Sequence, residues 1–121
     1  MTSMTSLQVR LEELAEEFRL VSDVIHHYKR VETEAPFGVW AEQYEENSNY
    51  ADNQKTEFGI HIQLDYYTKT EFDPVIDAIQ NYMTGKGYAW NLDSVLFEDE
   101  TNLIHYTWGL TLYGKADDQG A

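Results

Sequence analysis

The sequence contains no cysteine, only two prolines, and eight basic residues against 22 acidic ones. Each shortage excludes something. Without cysteine there are no disulfides, thiolate metal sites or thiol nucleophiles, which is compatible with a reducing compartment. With a formal net charge of -14 the chain has no basic stripe able to neutralise a run of phosphates, so a basic nucleic-acid module is excluded. No apolar run approaches the ~20 residues of a membrane span. Met1 to Ser6 lack the basic start of a secretory leader, so a soluble protein that is not exported is expected.

What is present points to an ordered domain. Hydrophobic residues make up 42% and aromatics 14%, too much for a disordered acidic tail, which cannot bury enough apolar surface to offset chain entropy. A length of 121 residues fits one domain, 1–121, with residues 1–6 and 115–121 frayed. The charge is uneven: residues 31–54 carry -6 and residues 92–121 carry -5, so two segments hold most of the excess. The first includes a polar, Asn-rich stretch that reads as a long acidic loop over 43–56, and a loop of that length in a small domain is usually functional.

Hydrophobic periodicity supplies the elements. Leu7, Leu11, Leu14, Phe18 and Val21 recur at helical spacing behind Ser6 as N-cap, with Glu12, Glu13, Glu16 and Glu17 on the solvated face. Val24 to Tyr28 reads equally as an extended segment or a further helical turn. Phe37 to Ala41, after Pro36, reads as a strand. Phe58, Ile60, Ile62, Leu64 and Tyr66 alternate with Gly59, His61, Gln63, Asp65 and Tyr67, the clearest strand in the chain. Asp73 caps a helix with Pro74 at its first position and an apolar stripe of Val75, Ile76, Ile79, Tyr82 and Met83, ended by Gly85 or Gly87. Leu92 to Phe97 and Leu103 to Tyr113 form a hairpin across the acidic turn 98–102, the second strand placing Ile104, Tyr106, Trp108, Leu110 and Leu112 on one face. The expected fold is α+β: a mostly antiparallel sheet of about four strands flanked by two helices, with one long acidic loop.

Little in this pattern points to catalysis. His26 and His27 are adjacent and, on a strand, would face opposite ways. His61, Asp65 and His105 would form one site only if their strands were neighbours, and the alternative is ordinary hydrogen bonding. Carboxylate pairs arise by chance at this acid content, Gly85 and Gly87 flank Lys86 without a P-loop pattern, and no serine stands in a nucleophile elbow. No enzyme activity, cofactor or metal is expected. Aromatics are more informative: nine tyrosines, five phenylalanines and three tryptophans are many for so small a core. They either fill the space between sheet and helices or leave some for an interface.

The order and spacing of several runs resembles a known family. Ala35-Pro36-Phe37-Gly38-Val39-Trp40, Tyr50-Ala51-Asp52-Asn53, Ile62 to Lys69, Phe72-Asp73-Pro74 and Leu103-Ile104-His105-Tyr106 together resemble the tail-terminator or tail-completion proteins of long-tailed bacteriophages, often labelled minor capsid proteins. The resemblance covers Val24 to Tyr113. It implies a structural virion subunit without catalytic residues that assembles as a homo-oligomeric ring, a hexamer, at the head–tail interface. One side would cap the tail-tube protein, the other would meet the head–tail connector protein, with no sequence-specific nucleic acid and no membrane as partner. Contacts are expected from Trp40, Tyr44, Tyr50, Asp52, Asn53 and Tyr67. The competing reading is an acidic DNA mimic that inhibits a host nucleic-acid-binding enzyme.

Overall fold

The computed structural model describes residues 6–51 and 54–115. Chain order is α1 (Leu7–Val21), β1 (Ile25–His27), β2 (Phe37–Ala51), β3 (Gln54–Thr68), α2 (Pro74–Gly85), β4 (Ala89–Glu98) and β5 (Leu103–Lys115). The strands form one sheet in the order β1-β2-β3-β5-β4. The architecture is α+β as expected, but the sheet has five strands and is mixed, because β1 runs parallel to β2 while every other neighbouring pair is antiparallel. The undecided segment after α1 is extended: Ser22 closes the helix through its N–H to Phe18 O, and Ile25 then pairs beside Gly38.

The region expected as a loop over 43–56 is strand on both sides. β2 continues to Ala51 and β3 starts at Gln54, with register pairs out to Ala51 and Gln54. The extended pairing hides its period in the sequence for a physical reason. The ladder shifts register between Glu42 and Tyr44, between Glu45 and Asn47, and between Asn49 and Tyr50. Each inserted residue resets the alternation of faces, so no period of two survives in the sequence. This stretch extends because β3 offers it a paired edge, which weak β-formers such as Glu, Asn and Ser would not ensure alone.

Both helices cover one face of the sheet. From α1, Leu11, Leu14 and Phe18 join Ile79 and Met83 of α2 over Trp40, Ile62, Leu64, Tyr66, Trp108, Leu110 and Leu112. Phe18 lies edge-on to both Trp40 and Tyr82, at 5.7 and 5.6 Å between ring centroids. The buried indole of Trp108 is not left without a partner: its Nε1 donates to Gln80 Oε1 at 3.0 Å. Of the glutamates expected on the solvated face of α1, Glu17 departs, because it accepts from the Tyr82 hydroxyl and from Lys86 Nζ and so ties the two helices together. Burial and the Glu17 carboxylate both push the Tyr82 hydroxyl far up, so it remains a donor.

Asp73 joins β3 to α2. Its Oδ1 accepts from Val75 N at 2.9 Å as the N-cap, while its Oδ2 accepts from Thr68 Oγ1 at 2.7 Å and Tyr66 OH at 3.0 Å. Both hydroxyls belong to fully covered residues, so they have no recourse to water if the carboxylate is lost. Asp73→Ala is expected to destabilise the domain by about 3 kcal/mol, a lost cap plus two stranded hydroxyls, and Asp73→Asn by about 1 kcal/mol, measured by urea unfolding. Equal small losses would show that the carboxylate does not bridge strand and helix.

Candidate interaction surfaces

The face of the sheet opposite the helices carries a polar and aromatic array in register. Phe37, Tyr67 and His105 are direct cross-strand partners on β2, β3 and β5, and their rings stack at 4.7 and 4.0 Å. Arg30 lies over the Phe37 ring at 4.4 Å, adding a cation–π contact at the end of the row. Burial first, then the negative charges of Asp65 and Glu98, raise the Tyr67 hydroxyl above its ordinary pKa. Beside this row Asp65 gathers three partners: His105 Nε2 and Thr107 Oγ1, both at 2.8 Å, and Gln63 Nε2 at 2.9 Å.

Further along the same face Tyr44 stacks on His61 at 4.9 Å, and Glu46 takes Thr111 Oγ1 at 2.9 Å with His61 Nδ1 at 3.5 Å. Gly109 matters here because it lacks a side chain. A Cβ at that position would stand 2.8 Å from His61 Cε1 and 2.9 Å from Asp93 Oδ2, so the glycine leaves room for both groups to lean over the backbone. The result is a shallow polar depression of about 260 Å³.

β3 and β5 are neighbours, as a site of His61, Asp65 and His105 requires, but the three do not converge. His105 bonds to Asp65, whereas His61 turns to Glu46. Among the described residues no group of three or more His, Asp or Glu is arranged to hold a metal ion. The other two histidines also face carboxylates, His26 to Glu32 at 3.2 Å and His27 to Glu42 at 2.7 Å.

The six residues expected to make partner contacts separate in the structure. Trp40 is 1% exposed, its ring packed against Phe18 and stacked at 3.9 Å on His27, so within the subunit it belongs to the core. Tyr44 and Tyr50 are well exposed, on the outer half of β2. Tyr67 is half-buried in the aromatic row, and Asp52 and Asn53 lie outside the described residues.

Sequence reasoning missed the most exposed apolar group. Phe72 is 89% exposed, and on edge strand β4 Leu92, Val95, Leu96 and Phe97 all stand open. Leu92, Val95 and Phe97 oppose Trp108, Tyr106 and Ile104 of β5, so they continue the helix-side face of the sheet beyond the cover that the helices give. Their alternation looks like a core face; only the placement of α2 shows that nothing lies over them among the described residues. No known protein-family model matches the sequence, and no curated protein matches it either.

Electrostatics of the β1 side yields a test. Burial pushes the Glu42 carboxyl up, but hydrogen bonds from the Tyr28 hydroxyl and His27 outweigh it, and the net shift is downward from the ordinary 4.5. A carboxyl lowered in the folded state stabilises the fold above its unfolded pKa, and that contribution is lost as pH falls through the folded value. Glu42→Gln is therefore expected to lower stability at pH 7 and to flatten its decline below about pH 4.5, read from urea midpoints across a pH series. An unchanged acid limb would mean that Glu42 is not held by these partners.

Proposed function

We propose that this chain is a structural subunit of a long-tailed phage virion, a tail terminator or head–tail joining protein. In this reading it assembles into a closed ring, a hexamer as in the family it resembles, caps the tail tube and receives the head connector. It acts by binding and not by catalysis, and its place is the head–tail interface of the virion. The observation that carries the reading is the distribution of exposed apolar and aromatic side chains over several separate places: Val9 and Leu20 on α1, Tyr28 and Val31 after β1, Tyr44 and Tyr50 on the outer half of β2, Phe72 before α2, Leu92, Val95, Leu96 and Phe97 on β4, and Tyr113 on β5. Where such side chains gather into a patch, as on β4, they mark an interaction surface. A subunit in a ring needs two different lateral surfaces, and axial neighbours need a third.

Among the described residues, the runs that carry the resemblance fall at the start and end of β2, in the second half of β3, at the start of α2 and at the start of β5. Charge fits the reading as well. Carboxylates such as Glu46, Asp65 and Asp93 on the open face would line a lumen that lets DNA pass without adhering.

DNA mimicry finds less support. A mimic needs carboxylates spaced like phosphates along an elongated surface, whereas here the excess gathers in residues 31–54 and 92–121.

Light scattering over a concentration series, with electron microscopy of the purified protein alone and mixed with polymerised tail-tube protein of the same phage, tests the proposal. A ring of defined mass with a central hole, seated on tube ends, is expected. A monomer under both conditions that leaves tube length unchanged would overturn it.

A further inference from the structure

The β4 edge has the attributes of a strand acceptor, and we infer that it binds an extended segment of a partner protein whose alternating apolar residues are flanked by lysine or arginine. Three independent features of the edge lead there. β4 is ten residues long, is paired among the described residues only to β5, and contains neither proline nor lysine; its register shift between Leu92 and Ser94 interrupts the edge there and leaves Ser94 to Glu98 in regular pairing with β5. An added strand would find a ladder of backbone donors and acceptors ready to pair.

The side chains beside that ladder are apolar on the helix side, and one more, Leu96, stands among polar neighbours on the other. Leu92, Val95 and Phe97 lie on the helix side and Leu96 on the other, at 38%, 49%, 60% and 56% exposure. Val95 and Phe97 neighbour Tyr106 and Ile104, which with Ile76, Pro74 and Phe72 line a depression of about 540 Å³ under the start of α2. At its rim Phe72 is held at φ 62°, a left-handed conformation unfavourable for a bulky residue, with its side chain almost wholly exposed. A side chain from an added strand would cover these groups together.

Charge selects the occupant. From Gly87 to Gly114 the sequence has no lysine or arginine, while Asp93, Glu98, Asp99 and Glu100 stand on or next to the edge, and Glu71 and Asp77 border the depression. A second copy is the wrong partner. Antiparallel β4–β4 pairing centred on Val95 and Leu96 sets Asp93 of each copy opposite Glu98 of the other, a destabilising juxtaposition, between chains that each carry -14. A basic segment reverses every one of those terms. Lateral ring contacts must then use other surfaces, so the inference stands or falls separately from the ring.

A direct test uses a blocked synthetic peptide of alternating valine and threonine with two lysines at each end. Binding is followed by fluorescence anisotropy and by amide chemical shifts of the full chain. Binding is expected with shifts centred on 89–98, at least tenfold weaker for the same peptide with glutamate ends and weaker in high salt. Methylating the peptide nitrogens on alternate residues should abolish binding in one of the two possible sets and spare it in the other, which only strand addition from one edge produces.

Val95→Asp should lose the peptide while keeping the wild-type unfolding midpoint within a small margin, since the side chain is already half in water. Failure to bind at millimolar peptide, indifference to nitrogen methylation, or concentration-dependent dimerisation removed by Leu96→Asp would each overturn the inference. The last result would assign the edge to a second copy. Peptide binding by a chain that forms no ring would leave this inference intact and remove the proposed function; a ring that ignores the peptide would do the reverse.

Discussion

β3 is bonded along its length on both sides, to β2 from Gln54 to Tyr67 and to β5 from Glu57 to Thr68, and this double pairing organises everything else. Its alternation sends Ile62, Leu64 and Tyr66 under the helices and His61, Gln63, Asp65 and Tyr67 to the opposite face. The apolar series fixes the register of the whole sheet, because a slip of one residue would bury the polar series in its place. The outer half of β2, rich in residues that favour turns, is strand because it lies against β3.

The same arrangement explains how the two faces divide their work. On the helix side, burial dominates, and the polar atoms it includes are matched individually: Trp108 with Gln80, Tyr82 with Glu17, Tyr66 with Asp73. On the open side, stacked rings and carboxylate-centred hydrogen bonds hold neighbouring strands together without a second helical layer. Phe37, Tyr67 and His105 do so across three strands, and Asp65 locks the row at its side. Sheets that expose one face commonly alternate apolar and polar residues; here the exposed face is also internally bonded, which limits how freely its side chains reorient.

Much of this was legible in the sequence, and the misses have identifiable causes. Helical spacing located α1 and α2, and Asp73 with Pro74 marked the start of α2 to the residue. β3 and the β4–β5 hairpin followed from alternation. Three residues are too few to show a period, so the sequence does not decide β1. The three register shifts of the outer half of β2 erase its alternation, so its sequence reads as a loop. Trp40 is indistinguishable by sequence from an exposed aromatic, as its neighbours Ala41 and Glu42 say nothing of the α1 helix that covers it. Conversely, Leu92, Val95 and Phe97 carry a core pattern and stand exposed, while Trp90 at the start of the same strand packs on the core and donates to Thr84 of α2. Periodicity reports which face a residue takes; burial depends on how far the covering layer extends.

The long ladders joining β2, β3 and β5 also give the sheet a direction. Tension applied along the strands, from the end near Ala51 and Gln54 toward the end near Phe37 and Thr68, loads many interstrand hydrogen bonds at the same time, and they must fail together. Tension applied across the strands peels them one rung after another. A body built this way is stiff lengthwise and tears sideways, so the orientation in which it is mounted decides how much mechanical load it withstands.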